Sequence, residues 1–453
     1  MSAFWFATAL LPSGWASDVR ISVKDGQITA VEPGAPAQPA DECHAIAIPG
    51  LANVHSHAFQ RGMAGLAEHR GGAGAGDDNF WSWREVMYRF LDRLTPDDVE
   101  AIAAMAYAEM LEGGYLHVGE FHYLHNDAQG QAYANPAEMA ARVAHAAHQT
   151  GIGITLLPVF YAHSNFGGQA PNHGQRRFIH SLDSFAGLLD ACRPLLLAGD
   201  RLGIAPHSLR AVTGEELAAL VAMHPDGPIH IHAAEQQKEV QDSFAWSGLR
   251  PVEWLLAHSD LDERWCLIHA THLTDQETDA LATSGAVAGL CPITEANLGD
   301  GTFPALRFLN AGGRIATGTD SNILIDPAQE LRALEYSQRL AHQARNVLAS
   351  RTHPSTARTL FEAALAGGAQ ALGITQGLAN GNAADFVTLN PGHPALHGRG
   401  GDQLLDNWVF AARGNCIDTV WKRGHPVVSG GRHRDIETIT ARYLKVIERI
   451  IAA

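Results

Sequence analysis

Residues 49–60 read PGLANVHSHAFQ, an apolar run that ends in two histidines, His55 and His57, one residue apart. Successive side chains of a β-strand point to opposite faces, so positions i and i+2 share a face. Two imidazoles placed this way aim at one point, as a metal site requires. Alone the pair carries little weight, because 25 histidines in 453 residues give about one H-x-H by chance. Its meaning depends on what the neighbouring segments supply.

Working outward, the chain from Ile48 to about Leu372 alternates short apolar runs with alanine- and leucine-rich helical stretches. The runs are IPGLANVHSH, YLHVGEFHY, GITLLPVFY, RLGIAPHS, PIHIHAAE, WCLIHATH, AVAGLCPIT and RIATGTDS. Eight βα repeats predict an α/β fold, a (β/α)8 TIM-type barrel over 49–372, with functional groups where the strands end. The polar residues of the runs do gather near their C-terminal ends, where packing alone gives a core strand no use for a histidine or an acid. Residues 1–48 read as short strands, with Asp25-Gly26 as a hairpin turn. Strand-like runs return as GNAADFVTLNP, DNWVFAA and CIDTVWKRGHPVVSGG, and Ile436 to Ile451 shows helical spacing. The expectation is a small composite β-sandwich domain of residues 1–48 and 373–453 with a C-terminal helix.

Composition narrows the function classes. With 46% hydrophobic and 18% charged residues the chain is an ordinary globular one, and no apolar run reaches the ~18 residues of a membrane span. The start, MSAFWFATALLPSG, lacks the basic region and cleavage site of a signal peptide, so a cytoplasmic protein is expected. A net charge of -16 disfavours nucleic acid and anionic membrane as partners and leaves a small-molecule substrate, which a few local arginines allow to be anionic. The five cysteines form no C-x-x-C pair and read as buried reduced thiols. Between the first two runs lies HRGGAGAGDDNFWSWREVMYRFLDRL (69–94). Without G-K-[ST] it is not a phosphate loop; it reads as a mobile lid, with Trp81 and Trp83 as packing residues. The role of the loop 162–180 stays open.

Further strand ends complete the constellation. In PIHIHAAE, His232 lies nearer the C-terminal lip than His230, which reads as a packed histidine, and Glu235 follows where the strand gives way to the loop. IHATH puts His269 at the lip, with His272 further out as a surface residue. GTDS ends in Asp320, after two small residues that allow close backbone approach. Three imidazoles and one carboxylate suit a borderline divalent cation such as zinc, with a position left for water. Such an ion lowers the pKa of bound water to about 7, giving hydroxide at neutral pH. Glu235 is then placed to take the proton and pass it to a leaving group.

Together, H-x-H on the first strand, H-x-H-x-x-E in PIHIHAAE, the histidine of IHATH and the aspartate of GTDS resemble the amidohydrolase superfamily, in its mononuclear deaminase-type branch. The flanking β segments resemble that superfamily's composite β-domain. Dinuclear members use a carboxylated lysine at the end of strand four; strand four here ends IAPHS, so one divalent metal per subunit is implied, and a homodimer. The stretches NVHSHAFQRGMAGLAE, VGEFHYLH, LLPVFYAHSNFGG, IAPHSLRAV and HIHAAEQQKEV resemble a deiminase branch that hydrolyses a linear amidine. The implied reaction is N-formimidoyl-L-glutamate to N-formyl-L-glutamate and ammonia, in histidine degradation, by attack of metal-bound hydroxide. That resemblance implies metal ligands His55, His57, His232 and Asp320, catalytic roles for Glu235, His269 and Asp320, and substrate contacts from Gln60, Arg84, Tyr123, His207 and Arg210. A glutamate-derived substrate has two carboxylates, which Arg84 and Arg210 suit as bidentate clamps. The alternative is a deaminase of a nucleobase or another aminated small molecule, which predicts a flat, largely apolar pocket. A metal-binding protein without catalysis would lack a ligand or the acid, and none is missing.

Overall fold

Alternating burial along the N-terminal residues builds β1 (Ser2–Leu11), in which Phe4 and Phe6 point inward, and its antiparallel partner β2 (Gly14–Lys24). Asp25 and Gly26 both adopt positive φ, 53° and 79°, as a two-residue hairpin turn into β3 (Gln27–Glu32) requires. β4 (Glu42–Pro49) then returns parallel to β1. These elements belong to a computed structural model that describes residues 2–69, 78–350, 353–414 and 416–452.

At Gly50 the chain changes sheets. A Cβ there would lie 2.0 Å from the Leu116 side chain, so only glycine lets the strands pass this closely. The run IPGLANVHSH is therefore divided: Ile48 and Pro49 finish β4, and β5 (Leu51–Ser56) opens a parallel set. That set continues, after the helices α1 (Phe80–Leu91) and α2 (Pro96–Gly113), through β6 (Tyr115–His122), β7 (Gly153–Phe160), β8 (Arg201–Leu202) and β9 (Ala205–Pro206). A second parallel set contains β10 (Ile229–Ala233), β11 (Trp265–His269), β12 (Val287–Leu290) and β13 (Arg314–Thr317). Single parallel bridges join the two sets, Ser56 to Asp320 at one seam and Ile204 to Ile229 and Ser208 to His232 at the other. Helices separate the paired parallel strands, as such neighbours demand; only β8 and β9, which both pair with β7, follow each other directly.

After the helix Thr356–Ala371 come β14 (Phe386–Leu389), β15 (Ile417–Lys422), β16 (His425–Ser429) and β17 (Arg432–His433). β14 pairs antiparallel with β4, Phe386 opposite Pro49, so both chain ends share one eight-stranded sheet. Its aromatic core sets Phe4 edge-on to Trp421 at 4.9 Å and to Phe386 at 5.1 Å.

Several expectations need correction. DNWVFAA is not a strand: it is the end of a helix, Asp402–Phe410, whose buried face includes Leu404 and Leu405 before the quoted run begins. RLGIAPHS breaks into β8 and β9 because Ile204 leaves β7 to pair with Ile229. All five cysteines are free thiols, but Cys43 is exposed. The glycine-rich part of the expected lid, residues 70–77, lies outside the described residues. Among the described residues, no helix is long and apolar enough to cross a membrane.

Candidate metal centre and active site

The candidate ligands meet at the C-terminal ends of β5, β10 and β13. His55 Nε2 lies 3.2 Å from His57 Nε2 and 3.1 Å from His232 Nε2, and Asp320 Oδ1 lies 3.4 Å and 3.2 Å from the first two. The backbone determines which nitrogens face inward. His57 Nδ1 bonds the Phe121 carbonyl at 2.8 Å and His232 Nδ1 the His207 carbonyl at 3.0 Å. A carbonyl only accepts, so each Nδ1 carries the proton and each Nε2 turns a lone pair inward. Burial pulls His55 down to about 3 and His232 well below the ordinary range, so both imidazoles are neutral. Converging lone pairs beside a carboxylate repel one another unless a cation lies among them. All four donor atoms fall within 4.8 Å of one another, and three nitrogens with one oxygen fit a borderline divalent metal.

The approach of β5 to β13 depends on small and polar residues. A Cβ on Gly318 would lie 2.8 Å from the backbone N and O of His55, so glycine permits the contact. Asp320 follows in the left-handed region, φ 45°. Three residues that the motif reading passed over lock this seam. Asn53 Nδ2 donates to Thr319 Oγ1 at 2.7 Å, Thr319 donates to Asn322 Oδ1 at 2.6 Å, and Asn322 Nδ2 donates to Ser56 Oγ and His57 O at 3.1 Å each. The available signal was a buried asparagine inside an apolar strand, since such a group is kept only where it is hydrogen-bonded.

Beside this cluster lies an acid and histidine pair. His269 Nε2 is 3.8 Å from both Glu235 Oε1 and Asp320 Oδ2, and His269 Nδ1 is 3.2 Å from Glu295 Oε1. Burial pushes Glu235 up to about 7, against the pull of His269 and Arg210. For His269 burial acts downward, but Glu235, Glu295 and Asp320 outweigh it and raise the imidazole to about 10. Glu239, also passed over, receives the Ala234 and Glu235 amides at 3.2 Å and 3.1 Å and so fixes the turn that carries Glu235.

One cavity of about 60 Å³ brings the rest together: Gln60, Arg84, Tyr123, His207 and Arg210 line it with His57, His232, Glu235, His269 and Asp320. Gln60 Nε2 donates to Tyr123 Oη at 2.7 Å, while Gln60 Oε1 is buried without a partner. Burial, then Arg210, holds His207 well below its ordinary value, so it is neutral. Arg210 is 5% exposed and Arg84 half-buried over the Trp81 ring, 4.4 Å from its centroid. The Nε atoms of both arginines lack hydrogen-bond partners, and neither arginine forms an ion pair among the described residues. Trp83 packs against the core as expected and also lines the cavity. His230 bonds the Ala371 carbonyl at 2.7 Å, away from the cluster, and His272 is half-buried against Gln237 rather than free on the surface. A larger cleft of about 490 Å³, lined by Gly50, His117 and Arg201, opens at the N-terminal ends of β6 to β8 and holds none of the candidate site residues.

A parallel α/β scaffold with a buried cluster of candidate metal donors and an acid at its strand ends has the make-up of a metal-dependent hydrolase. Comparison with known proteins agrees. The "Amidohydrolase family" profile matches residues 46–427, and the profile "Formimidoylglutamate deiminase HutF, N-terminal domain" matches residues 1–45. The chain belongs to the amidohydrolase family. It is 49% identical over 455 residues to the formimidoylglutamate deiminase of Pseudomonas aeruginosa, covering 100% of both chains. A crystal structure of an amidohydrolase from Brucella melitensis matches with TM-score 0.96 and 53% identity over 100% of both chains. An adenosine deaminase from Xanthomonas campestris with bound zinc shares the fold at TM-score 0.80 and 24% identity, over 100% of this chain and 98% of its own.

Proposed function

We propose that this chain hydrolyses N-formimidoyl-L-glutamate to N-formyl-L-glutamate and ammonia. One observation carries the reading beyond the family: two guanidiniums without carboxylate partners face the cavity that holds the metal donors. Arg210 is buried with Glu239 and Glu235 nearby but outside ion-pair distance, and Arg84 is half-buried; a dicarboxylate substrate supplies a direct bidentate partner to each arginine. A flat, apolar base-binding pocket has no use for either.

A divalent cation on His55, His57, His232 and Asp320 supplies Lewis-acid polarisation and an acidified water. The chain's own residues do the rest. Arg84 and Arg210 clamp the two carboxylates and hold the formimidoyl carbon at the donor cluster. Gln60 Oε1, an acceptor without a partner, receives a substrate N–H, with Tyr123 and His207 bounding that end. Asp320 and His269 orient the attacking water. A carboxyl group near 7 both accepts and returns a proton at neutral pH, so Glu235 takes one from the water and delivers it to the departing nitrogen. The carbon gains the water oxygen, and the remaining hydroxyl proton of the adduct passes through Glu235 to the same nitrogen as the C=O forms and the C–N bond to ammonia breaks.

The wider assignment belongs to the same proposal. The two strand sets are halves of one (β/α)8 barrel over 49–372, with residues 1–48 and 373–453 as the β-domain. The cation is zinc, which the imidazole-rich donor set supports. A homodimer, a cytoplasmic location and a place in histidine degradation rest on the family resemblance. Purified protein loaded with one equivalent of Zn2+ is expected to release one ammonia per N-formimidoyl-L-glutamate consumed. No release from this substrate, together with deamination of a nucleobase, would replace the reading with its alternative.

A further inference from the structure

The loop after β7 contains a buried arginine that the chemistry above does not use. Arg177 is 1% exposed, yet its hydrogen-bond acceptors are backbone carbonyls. Its Nη1 donates to Leu91 O and, at 3.2 Å, to Leu94 O, and its Nε donates to Asn126 O at 3.0 Å. Leu91 is the last residue of α1, and Leu94 lies just beyond. The last carbonyls of a helix have no partners within it and form the negative end of its dipole, where a cation is stabilising. Arg177 therefore caps α1 from outside.

That helix is no ordinary neighbour of the site. It brings Trp83, Arg84, Met87 and Tyr88 to the cavity, and the elements it packs on most are two short 3₁₀ turns, 58–63 and 173–175. The second turn belongs to the same loop as Arg177. The loop makes two further contacts with α1 and its C-cap, and others with the segment after β6. Arg176 pairs with Asp92 at 2.7 Å and donates to Ala128 O at 2.8 Å. Gly174 lies against the Tyr88 ring, where a Cβ would sit 2.6 Å from Cδ2. The Arg177 carbonyl accepts from the amides of His125 and Asn126, at 3.0 Å and 2.9 Å, two and three residues after Tyr123. One side chain thus ties the end of α1 to the segment that follows β6.

We infer that Arg177 is a positioning residue: by capping α1 it sets the height of the Arg84 guanidinium over the cavity, and so governs substrate affinity rather than the chemical step. The inference rests on the proposed role of Arg84 as a carboxylate clamp. It predicts that the loop matters for catalysis although Arg177 itself has no place in the cavity lining.

The test uses the full-length, zinc-loaded protein and the variants Arg177→Lys, Arg176→Gln, Arg84→Met and the double variant Arg84→Met/Arg177→Lys. Hydrogen–deuterium exchange of residues 80–92, with α2 as internal reference, reads the position of α1 without substrate. For Arg177→Lys the expected result is at least tenfold faster exchange in 80–92, unchanged exchange in α2 and unchanged bound zinc. With N-formimidoyl-L-glutamate, KM rises about tenfold and kcat stays within threefold. Arg176→Gln, which leaves no buried carbonyl unmatched, moves both readings the same way by a smaller factor and carries the test if Arg177→Lys fails to fold. In the double variant KM rises no further than in Arg84→Met. Unchanged exchange in 80–92, a loss in kcat rather than KM, or a KM loss that multiplies fully with that of Arg84→Met would overturn the inference. If the wild-type protein does not turn over this substrate, the functional reading fails, while the exchange data still decide whether Arg177 holds α1.

Discussion

Replacing Arg210 with Met removes a cavity guanidinium while keeping a side chain of similar reach. Arg210 is 5% exposed and its Nε has no partner, so water cannot take over its contact with a bound carboxylate. A hydrogen bond to a charged group contributes about 1.5–3 kcal/mol, and 1.4 kcal/mol corresponds to a factor of ten. KM for N-formimidoyl-L-glutamate should therefore rise about 10- to 150-fold. The contact is the same in the ground state and the transition state, so kcat should stay nearly unchanged. Steady-state kinetics by ammonia release measure both. Two monocarboxylate analogues, the N-formimidoyl derivatives of 4-aminobutyrate and 2-aminobutyrate, sharpen the result. The substitution should be silent towards the analogue that lacks the carboxylate Arg210 binds, and costly towards the other. A KM change below threefold for the parent substrate, or an equal loss on both analogues, would refute the clamp.

Glu235→Gln should lower kcat by about 10²–10⁴ with metal content intact by elemental analysis; near-normal turnover would remove Glu235 from proton transfer. Gly318→Ala drives a Cβ to 2.8 Å from the His55 backbone and should cost about 1–3 kcal/mol, seen as a lower Tm and weaker zinc retention on dialysis. An unchanged Tm and zinc content would mean that the seam relaxes freely. Removing the cation with a chelator should lower Tm reversibly, because a ligand at 100 times its Kd stabilises by about 2.7 kcal/mol. His57→Ala should show the low Tm without added chelator and no further drop with it.

Much of this site was legible in local pattern. The two-residue spacing of His55 and His57 placed both rings on one side of the β5 end because a strand alternates strictly, and the βα alternation placed the other candidate ligands at strand ends. Glu235, His269 and Asp320 followed from their place just past an apolar run. What failed was context that local pattern does not carry. DNWVFAA has strand-like residues, but its helical face is complete only with Leu404 and Leu405. Trp83 packs against the core as expected, and only the placement of α1 shows that it also lines the cavity.

The sequence by itself determined which side chains are able to bind a cation, move a proton or clamp a carboxylate, because those capacities reside in residue type and in the fixed geometry of strand and helix. Only the tertiary structure decided that the Phe121 and His207 carbonyls set which imidazole nitrogens face inward. It also decided that burial pushes the Glu235 carboxyl up to about 7, and that Arg84 and Arg210 reach the cavity without ion-pair partners. Tautomer, burial and charge pairing depend on groups that are remote in sequence, such as Arg210 from Arg84, and no local pattern encodes a distance between segments until they pack.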